Sequence, residues 1–283
     1  MRGPLWFSHA RERTPLSPIL LRASILGTGA VLALVVGLTL SAAQGWDAAP
    51  TRGALSLALL LGLGFILNEH TSERVLIERV LRRTRSLGIG AAATALYMAS
   101  VGSEFYLVTL LLQSAKGYTP LQAGLAFLPL AVMVTGGNMA AGRAVRTCSA
   151  PTVLIGGFTI AASGLVWLSL TLYGDSYLVN LLPGLIISGC GHGVIYTSMF
   201  IIGTHDVPSA HQGAAGALLT TAQYLSAAVT VAILTLVLGP APHNDRFRAA
   251  FLITAAAAGI VLIAAQYRRL APSLASDPDR GRC

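Results

Sequence analysis

Two side chains in this sequence could handle a proton from within apolar runs. Glu104 lies in the stretch Gly88–Gln113, sixteen residues past its start and nine before its end. An ionised carboxylate in the centre of a lipid-embedded helix costs about 2.5–3.5 kcal/mol. Such a group must face a protein interior, take up a proton, or both. It reads either as a proton-titrating or cation-recognising group or as a hydrogen-bonded structural acid near one end of its span. His192 lies mid-way along Leu178–Gly203, inside the run Gly189-Cys-Gly-His-Gly193. An imidazole titrates in the physiological range. No partner acid is visible beside it, so a packing or hydrogen-bonding role is the plainer reading. Both are retained as proton-coupling candidates.

Cavities for organic molecules are mostly apolar with a few polar anchors. Tyr97, Gln113, Asn138, Tyr196, Gln223 and Tyr224 are uncharged anchors of that kind, and each could equally bond between helices. His205, Asp206 and His211 share one connection, but their spacing fits no usual zinc pattern, and they read as a solvated loop. No metal site is expected. No catalytic triad converges and no Gly-rich loop ends in Gly-Lys-Ser/Thr, so neither an enzyme nor a cofactor is expected.

These residues sit in a chain that only a bilayer can house. Of its 283 residues 54% are hydrophobic and 11% charged, and the mean hydropathy is +0.69. A soluble domain is about 25% charged, so the solvent for this surface must be lipid. Eight apolar stretches follow one another: 23–43, 53–67, 88–113, 122–141, 152–172, 178–203, 214–238 and 249–267. About 20 residues of helix cross a bilayer. Only 53–67 is short, and its helix could run on through Asn68 and Glu69. Backbone groups in lipid must be satisfied within each segment, which makes the spans helical. No apolar core precedes residue 19, so no cleavable signal peptide is expected.

The Lys and Arg residues are sorted. If alternate connections are assigned to one side, that side holds fifteen of the nineteen. The other holds Arg52, Lys116, Arg246 and Arg248. Basic residues of short loops stay cytoplasmic on insertion, which puts both termini in the cytoplasm. The net charge of +8 is therefore a topology signal with affinity for anionic lipid. No basic patch with interleaved aromatics points to nucleic acid. The longest polar segment, 68–86, mixes three glutamates with five arginines and reads as an amphipathic helix at the cytoplasmic interface. Glycines crowd the third, fourth and sixth spans, where small residues let helices pack backbone to backbone. The run Gly189–Gly193 could also keep a helix bendable where a pathway opens.

Several strings resemble the fourteen-helix drug:proton antiporter family of the major facilitator superfamily. They are Leu110-Leu-Leu-Gln113 followed by Gly117-Tyr-Thr-Pro-Leu-Gln-Ala-Gly-Leu-Ala-Phe-Leu-Pro129, then Pro183-Gly-Leu-Ile-Ile-Ser-Gly-Cys-Gly-His-Gly193, and Val207-Pro-Ser-Ala-His-Gln-Gly-Ala-Ala-Gly216 leading into Ala232-Ile-Leu. Gln44-Gly-Trp46 and Phe65 to Glu69 add to the likeness. The resemblance implies an all-α integral membrane protein of eight transmembrane helices. Two extra helices would occupy 1–86 with cytoplasmic flanks, the C-terminal six-helix half of a major facilitator fold 87–269, and a cytoplasmic tail 270–283. The six would form two inverted three-helix repeats.

The implied function is secondary efflux of small organic compounds or drugs by proton antiport across the plasma membrane. Partners are then the lipid bilayer, an organic substrate and protons, with a missing N-terminal transporter half or a second copy to complete the cavity. The family's usual coupling acid and antiporter signature belong to that other half. The sequence also departs from the pattern. Where the family has a Gly-Arg-Leu-x-Asp-Arg-x-Gly-x-Arg gating loop, this chain reads Gly142-Arg-Ala-Val-Arg-Thr-Cys-Ser-Ala-Pro151. Arg146, Thr147 and Ser149 replace the Asp, Arg and Gly. That departure keeps open a second reading, a truncated, non-transporting remnant or accessory membrane subunit.

Overall fold

A computed structural model of the chain describes residues 18–71, 79–239 and 243–270. All regular structure among them is helical. In chain order the helices are α1 (Pro18–Gln44), α2 (Ala49–Thr71), α3 (Arg79–Arg83), α4 (Arg85–Ala99), α5 (Glu104–Leu110), α6 (Pro120–Ala126), α7 (Leu128–Ala144), α8 (Ala150–Thr171), α9 (Leu182–Thr204), α10 (Gln212–Leu238) and α11 (Asn244–Leu270). Among the described residues seven segments are long and apolar enough to cross a membrane: Arg22–Ser41, Ala49–Asn68, Arg85–Ala115, Pro120–Ala144, Ala150–Thr171, Tyr177–Thr204 and Ser209–Leu238. The 27-residue α11 covers the eighth apolar stretch. The short second stretch does extend past Leu67, because α2 runs on to Thr71. Of the expected interfacial helix, 72–78 lie outside the described residues. The single turn α3 buries Leu81 against Leu87, Val207, Ala215 and Leu219.

Helix α9 is the spine. It packs along α7, α8 and α4; α10 packs along α4, and α11 along α8. A Cβ at Gly137 would meet the Cys190 carbonyl, and one at Gly193 would meet the Val134 carbonyl and the Asn138 nitrogen. Gly189 lies against Leu130, and Gly191 against Ala161 of α8. The glycines of the Gly189–Gly193 run thus place the backbone of α9 directly on both neighbours, as close small-residue packing requires. Helices α1 and α2 form a hairpin that touches the rest chiefly through α1 on α10. Its outward leucines, Leu59 and Leu60 among them, are exposed as a lipid-facing surface would be.

Two local features position the site. The first is a break in the third span. After α4, Ser100 departs from helical geometry (φ −114°, ψ −97°) and Val101–Ser103 forms a single 3₁₀ turn before α5 begins at Glu104. The hydroxyl of Ser100 donates to the Leu96 carbonyl at 2.6 Å and that of Ser103 to the Ser100 carbonyl at 2.6 Å. Serine and glycine pairs are a known cause of such kinks, and Ser100-Val-Gly-Ser103 supplies them. The second is the entry to the fourth span. Gly117 has φ +69°, a left-handed value that suits glycine. Thr119 then caps α6: its Oγ1 accepts from the Gln122 amide at 3.3 Å, while Gln122 Oε1 accepts from the Thr119 amide at 2.9 Å. Pro120 occupies the first helical turn. Gly-Tyr-Thr-Pro-Leu-Gln is thus a turn followed by a capping box.

Candidate functional site

Glu104, the first residue of α5, is fully buried. Its Oε1 accepts a hydrogen bond from the Ser188 hydroxyl at 2.7 Å, and its Oε2 lies 3.3 Å from His192 Nε2. The other imidazole nitrogen, Nδ1, is 2.9 Å from the Tyr97 hydroxyl. Four side chains from α4, α5 and α9 therefore form one chain of contacts, Tyr97–His192–Glu104–Ser188. Exposure falls along it, from 6% at Tyr97 to 1% at His192 and zero at Glu104 and Ser188. His192 lies fifteen residues from Tyr177 and twelve from Thr204, so the network sits near the middle of the sixth span. The histidine does have an acid partner, contrary to the expectation along the sequence. The fold supplies it from 88 residues away.

Aromatic rings enclose the imidazole. Tyr97 meets it edge-on at 5.5 Å between centroids and Phe105 at 5.4 Å. Phe105 stacks on Phe127 at 5.5 Å, and Tyr97 leads to Tyr196 at 6.3 Å and on to Phe200 at 5.1 Å. Phe105 and Tyr196 are 43% and 40% exposed. A buried polar network thus stands directly behind an open aromatic face. Edge-to-face ring pairs contribute about 0.5–1.5 kcal/mol each beyond their buried area and hold the rings in register.

The remaining candidates distribute unevenly. Asn138 of α7 accepts from Thr197 of α9 through Oδ1 at 3.0 Å, one residue beyond Tyr196. Gln223 is buried in α10, and its neighbour Tyr224 is exposed. Gln113 is exposed in the π-helical turn Leu111–Ala115, at the end of the bundle that carries Lys116. No hydrogen bond joins these last three to the network among the described residues. His205 and Asp206 contact one another at 2.8 Å on an exposed connection, and the Asp206 amide donates to Ser86 Oγ at 3.3 Å. The His205 bond is the chief cause that holds the Asp206 carboxyl below its ordinary range. Sequence reasoning missed Ser188 and Phe105. Yet Ser188, His192, Tyr196 and Phe200 recur every fourth residue, and that spacing puts polar and aromatic groups on one face of α9.

A family model described as Major Facilitator Superfamily matches residues 18–231. The chain belongs to that superfamily. Its members are transporters, not enzymes. Among similar curated proteins of this superfamily are three at 29% identity. They are the probable actinorhodin transporter of Streptomyces coelicolor, covering 74% of this chain and 37% of that protein; the cephamycin export protein CmcT of Amycolatopsis lactamdurans, 77% and 46%; and the puromycin resistance protein of Streptomyces alboniger, 77% and 44%. This facilitator chain thus spans a third to a half of the length of these relatives.

The segment 142–151 of this facilitator chain carries Arg143 and Arg146, both exposed. Arg143 donates to the Met139 carbonyl at 3.3 Å. Neither arginine is in an ion pair with a carboxylate among the described residues. At the opposite end of the bundle three connections are tied together. Lys116 Nζ donates to the Gly174 carbonyl at 2.7 Å, Tyr173 donates to Asp245 Oδ1 at 2.7 Å, and Tyr177 donates to the Ala126 carbonyl at 2.7 Å.

Proposed function

We propose that this chain supplies one wall of a membrane exporter of small organic compounds, driven by proton exchange. Helices α1 and α2 act as the inserted pair and α4 to α11 as a C-terminal six-span half. The packing supports two inverted three-helix repeats: α7 lies along α9 just as α10, its counterpart in the second repeat, lies along α4. The exposed rings of Phe105 and Tyr196 receive the substrate, and Tyr224, Asn138, Gln113 and Gln223 are further candidate contacts. A second six-helix body, the other half of the transporter or a second copy, closes the cavity. The arginine-rich end is cytoplasmic, with both termini there and the chain in the plasma membrane.

The observation that carries this reading is the buried Glu104–His192 contact behind the aromatic face. A carboxylate and an imidazole buried together in mid-span behind exposed aromatic rings are suited to exchange a proton as those rings meet a substrate. The relatives named for export or resistance, such as those for cephamycin and puromycin, support the substrate class. The test is accumulation of a panel of fluorescent organic compounds and antibiotics in cells with and without the gene in its native context. Accumulation falls when the protein is made, recovers when the pH gradient is collapsed, and becomes insensitive to external pH in Glu104→Gln. Equal accumulation across the panel refutes efflux. The replacement of the family's Asp by Arg146 favours one rival, a truncated, non-transporting remnant or accessory membrane subunit.

A further inference from the structure

The four-residue network has a property that none of its members has alone: its three internal hydrogen bonds can form in two protonation states. In the first, Glu104 is a carboxylate. Ser188 donates to Oε1, His192 Nε2–H donates to Oε2, and the Tyr97 hydroxyl donates to Nδ1. In the second, Glu104 is a carboxylic acid whose Oε2–H donates to Nε2. The imidazole is then the other neutral tautomer, with Nδ1–H donating to the Tyr97 oxygen. The Tyr97 O–H turns away, toward the side where Tyr196 stands. Both arrangements use the same heavy-atom positions. A buried polar group left unpaired costs about 1–3 kcal/mol, and in both states the three contacts between Tyr97, His192, Glu104 and Ser188 are kept as hydrogen bonds.

We infer that Tyr97 is the entrance of a proton relay in which His192 passes one proton between Tyr97 and Glu104. The inference rests on the coupling role proposed above for Glu104. The step balances. A hydronium ion on the Tyr97 side gives up a proton to the Tyr97 oxygen, leaving water, as that oxygen's own proton passes to His192 Nδ1. The proton on Nε2 passes to Glu104 Oε2. One proton enters, three O–H or N–H bonds form and two break within the protein, and every group is neutral at the end. Release is the same sequence reversed. Tyr97, at 6% exposure, is the least buried of the four and is therefore taken as the entrance.

No other titratable group is hydrogen-bonded to the network among the described residues, and Tyr196 meets it only through its ring. Helix α4 offers Tyr97, and α5 offers Glu104 and Tyr106. The Tyr106 hydroxyl is turned instead to Thr235 of α10 at 2.8 Å. Helix α9 offers His192, Tyr196 and Cys190, and α10 offers Tyr224, which is 65% exposed. The titratable residues of α7 and α11 lie at their ends, and α8 has none.

The experiment is a rapid pH jump on the purified full chain in lipid nanodiscs, followed in the infrared. The carbonyl stretch of a protonated carboxylic acid that disappears in Glu104→Gln identifies the acid. In Tyr97→Phe the ring remains but the hydroxyl is gone. The relay predicts that this band reaches its normal amplitude about 10²-fold more slowly, the usual contribution of a positioned proton-transfer group. His192→Gln keeps a polar side chain but cannot take a proton on one atom while giving it from another. It gives the same slowing and guards against a folding defect peculiar to Tyr97→Phe. A purely structural role for Tyr97 would alter amplitude or unfolding, not the rate alone. An unchanged rate in both variants overturns the relay and leaves the coupling role of Glu104 intact. A carboxylic band that persists in Glu104→Gln overturns that role, and the relay with it.

Discussion

Adjacent glycines in α7 give opposite expectations for the same substitution. A Cβ at Gly136 meets nothing within 4 Å, whereas at Gly137 it meets the Cys190 carbonyl and the Gly193 backbone. Both positions are helical, so alanine brings each a similar propensity gain of up to about 1 kcal/mol. That gain cancels when the two variants are compared. At Gly137 the obstacle is backbone, which cannot rotate away, so α7 and α9 must separate. Over-filling a packed contact costs about 1–3 kcal/mol. Separation also loosens the neighbouring approaches of Gly189 and Gly193 on α9. Gly137→Ala is therefore expected to fall about 1–3 kcal/mol below Gly136→Ala in stability. The assay is unfolding by sodium dodecyl sulfate in mixed micelles, read by circular dichroism. Two variants within about 0.5 kcal/mol of each other would refute backbone-to-backbone contact between α7 and α9, since that is the spread of a surface substitution.

Three further outcomes follow from contacts outside the network. Asn138→Ala removes the bond from Thr197 and should cost about 0.6 kcal/mol in the same titration, the usual value between membrane helices; a loss above about 2 kcal/mol would show that Asn138 holds more than this one bond. Asp206 sits below its ordinary 3.8 because His205 bonds it, with Ser86 assisting. A depressed carboxylate contributes stability that is present above the unfolded value and lost as pH falls through the folded one. His205→Ala should raise it toward 3.8, read from the carboxyl carbon by NMR, and no upward movement would discount that bond. Tyr173 sits above its ordinary 10.0 chiefly because it donates to Asp245. Its contribution is full below 10 and fades as pH rises through the folded value. Asp245→Asn should lower it toward 10 in a tyrosine ring-carbon titration, and an unmoved tyrosine would refute the latch.

Much of the architecture was legible because lipid permits so few solutions. The apolar stretches became helices, and even the second found the extra length its short core needed. The Gly117–Gln122 string was legible as local chemistry, since a left-handed glycine, a threonine cap and a reciprocal glutamine are all decided within six residues. The site was legible only in part. Glu104 stood out because a carboxylate in an apolar run demands an explanation. Its pairing with His192 did not, because no local rule joins residues 88 apart. The fourfold spacing from Ser188 to Phe200 on α9 was the available signal. The break at Ser100–Ser103 was hidden for a different reason: the surrounding hydropathy is continuous, so the run of small residues reads as ordinary helix packing.

That break divides the bundle mechanically. Backbone contact through glycine welds α7, α8 and α9 into one stiff slab, which can tilt but hardly deform. The third span is jointed, and Glu104 rides on the segment beyond the joint while His192 rides on the slab. The 3.3 Å gap between them therefore lies across a seam. A bend at the joint would change that gap, so a pair of probes on α5 and α9 would serve as a strain gauge for it.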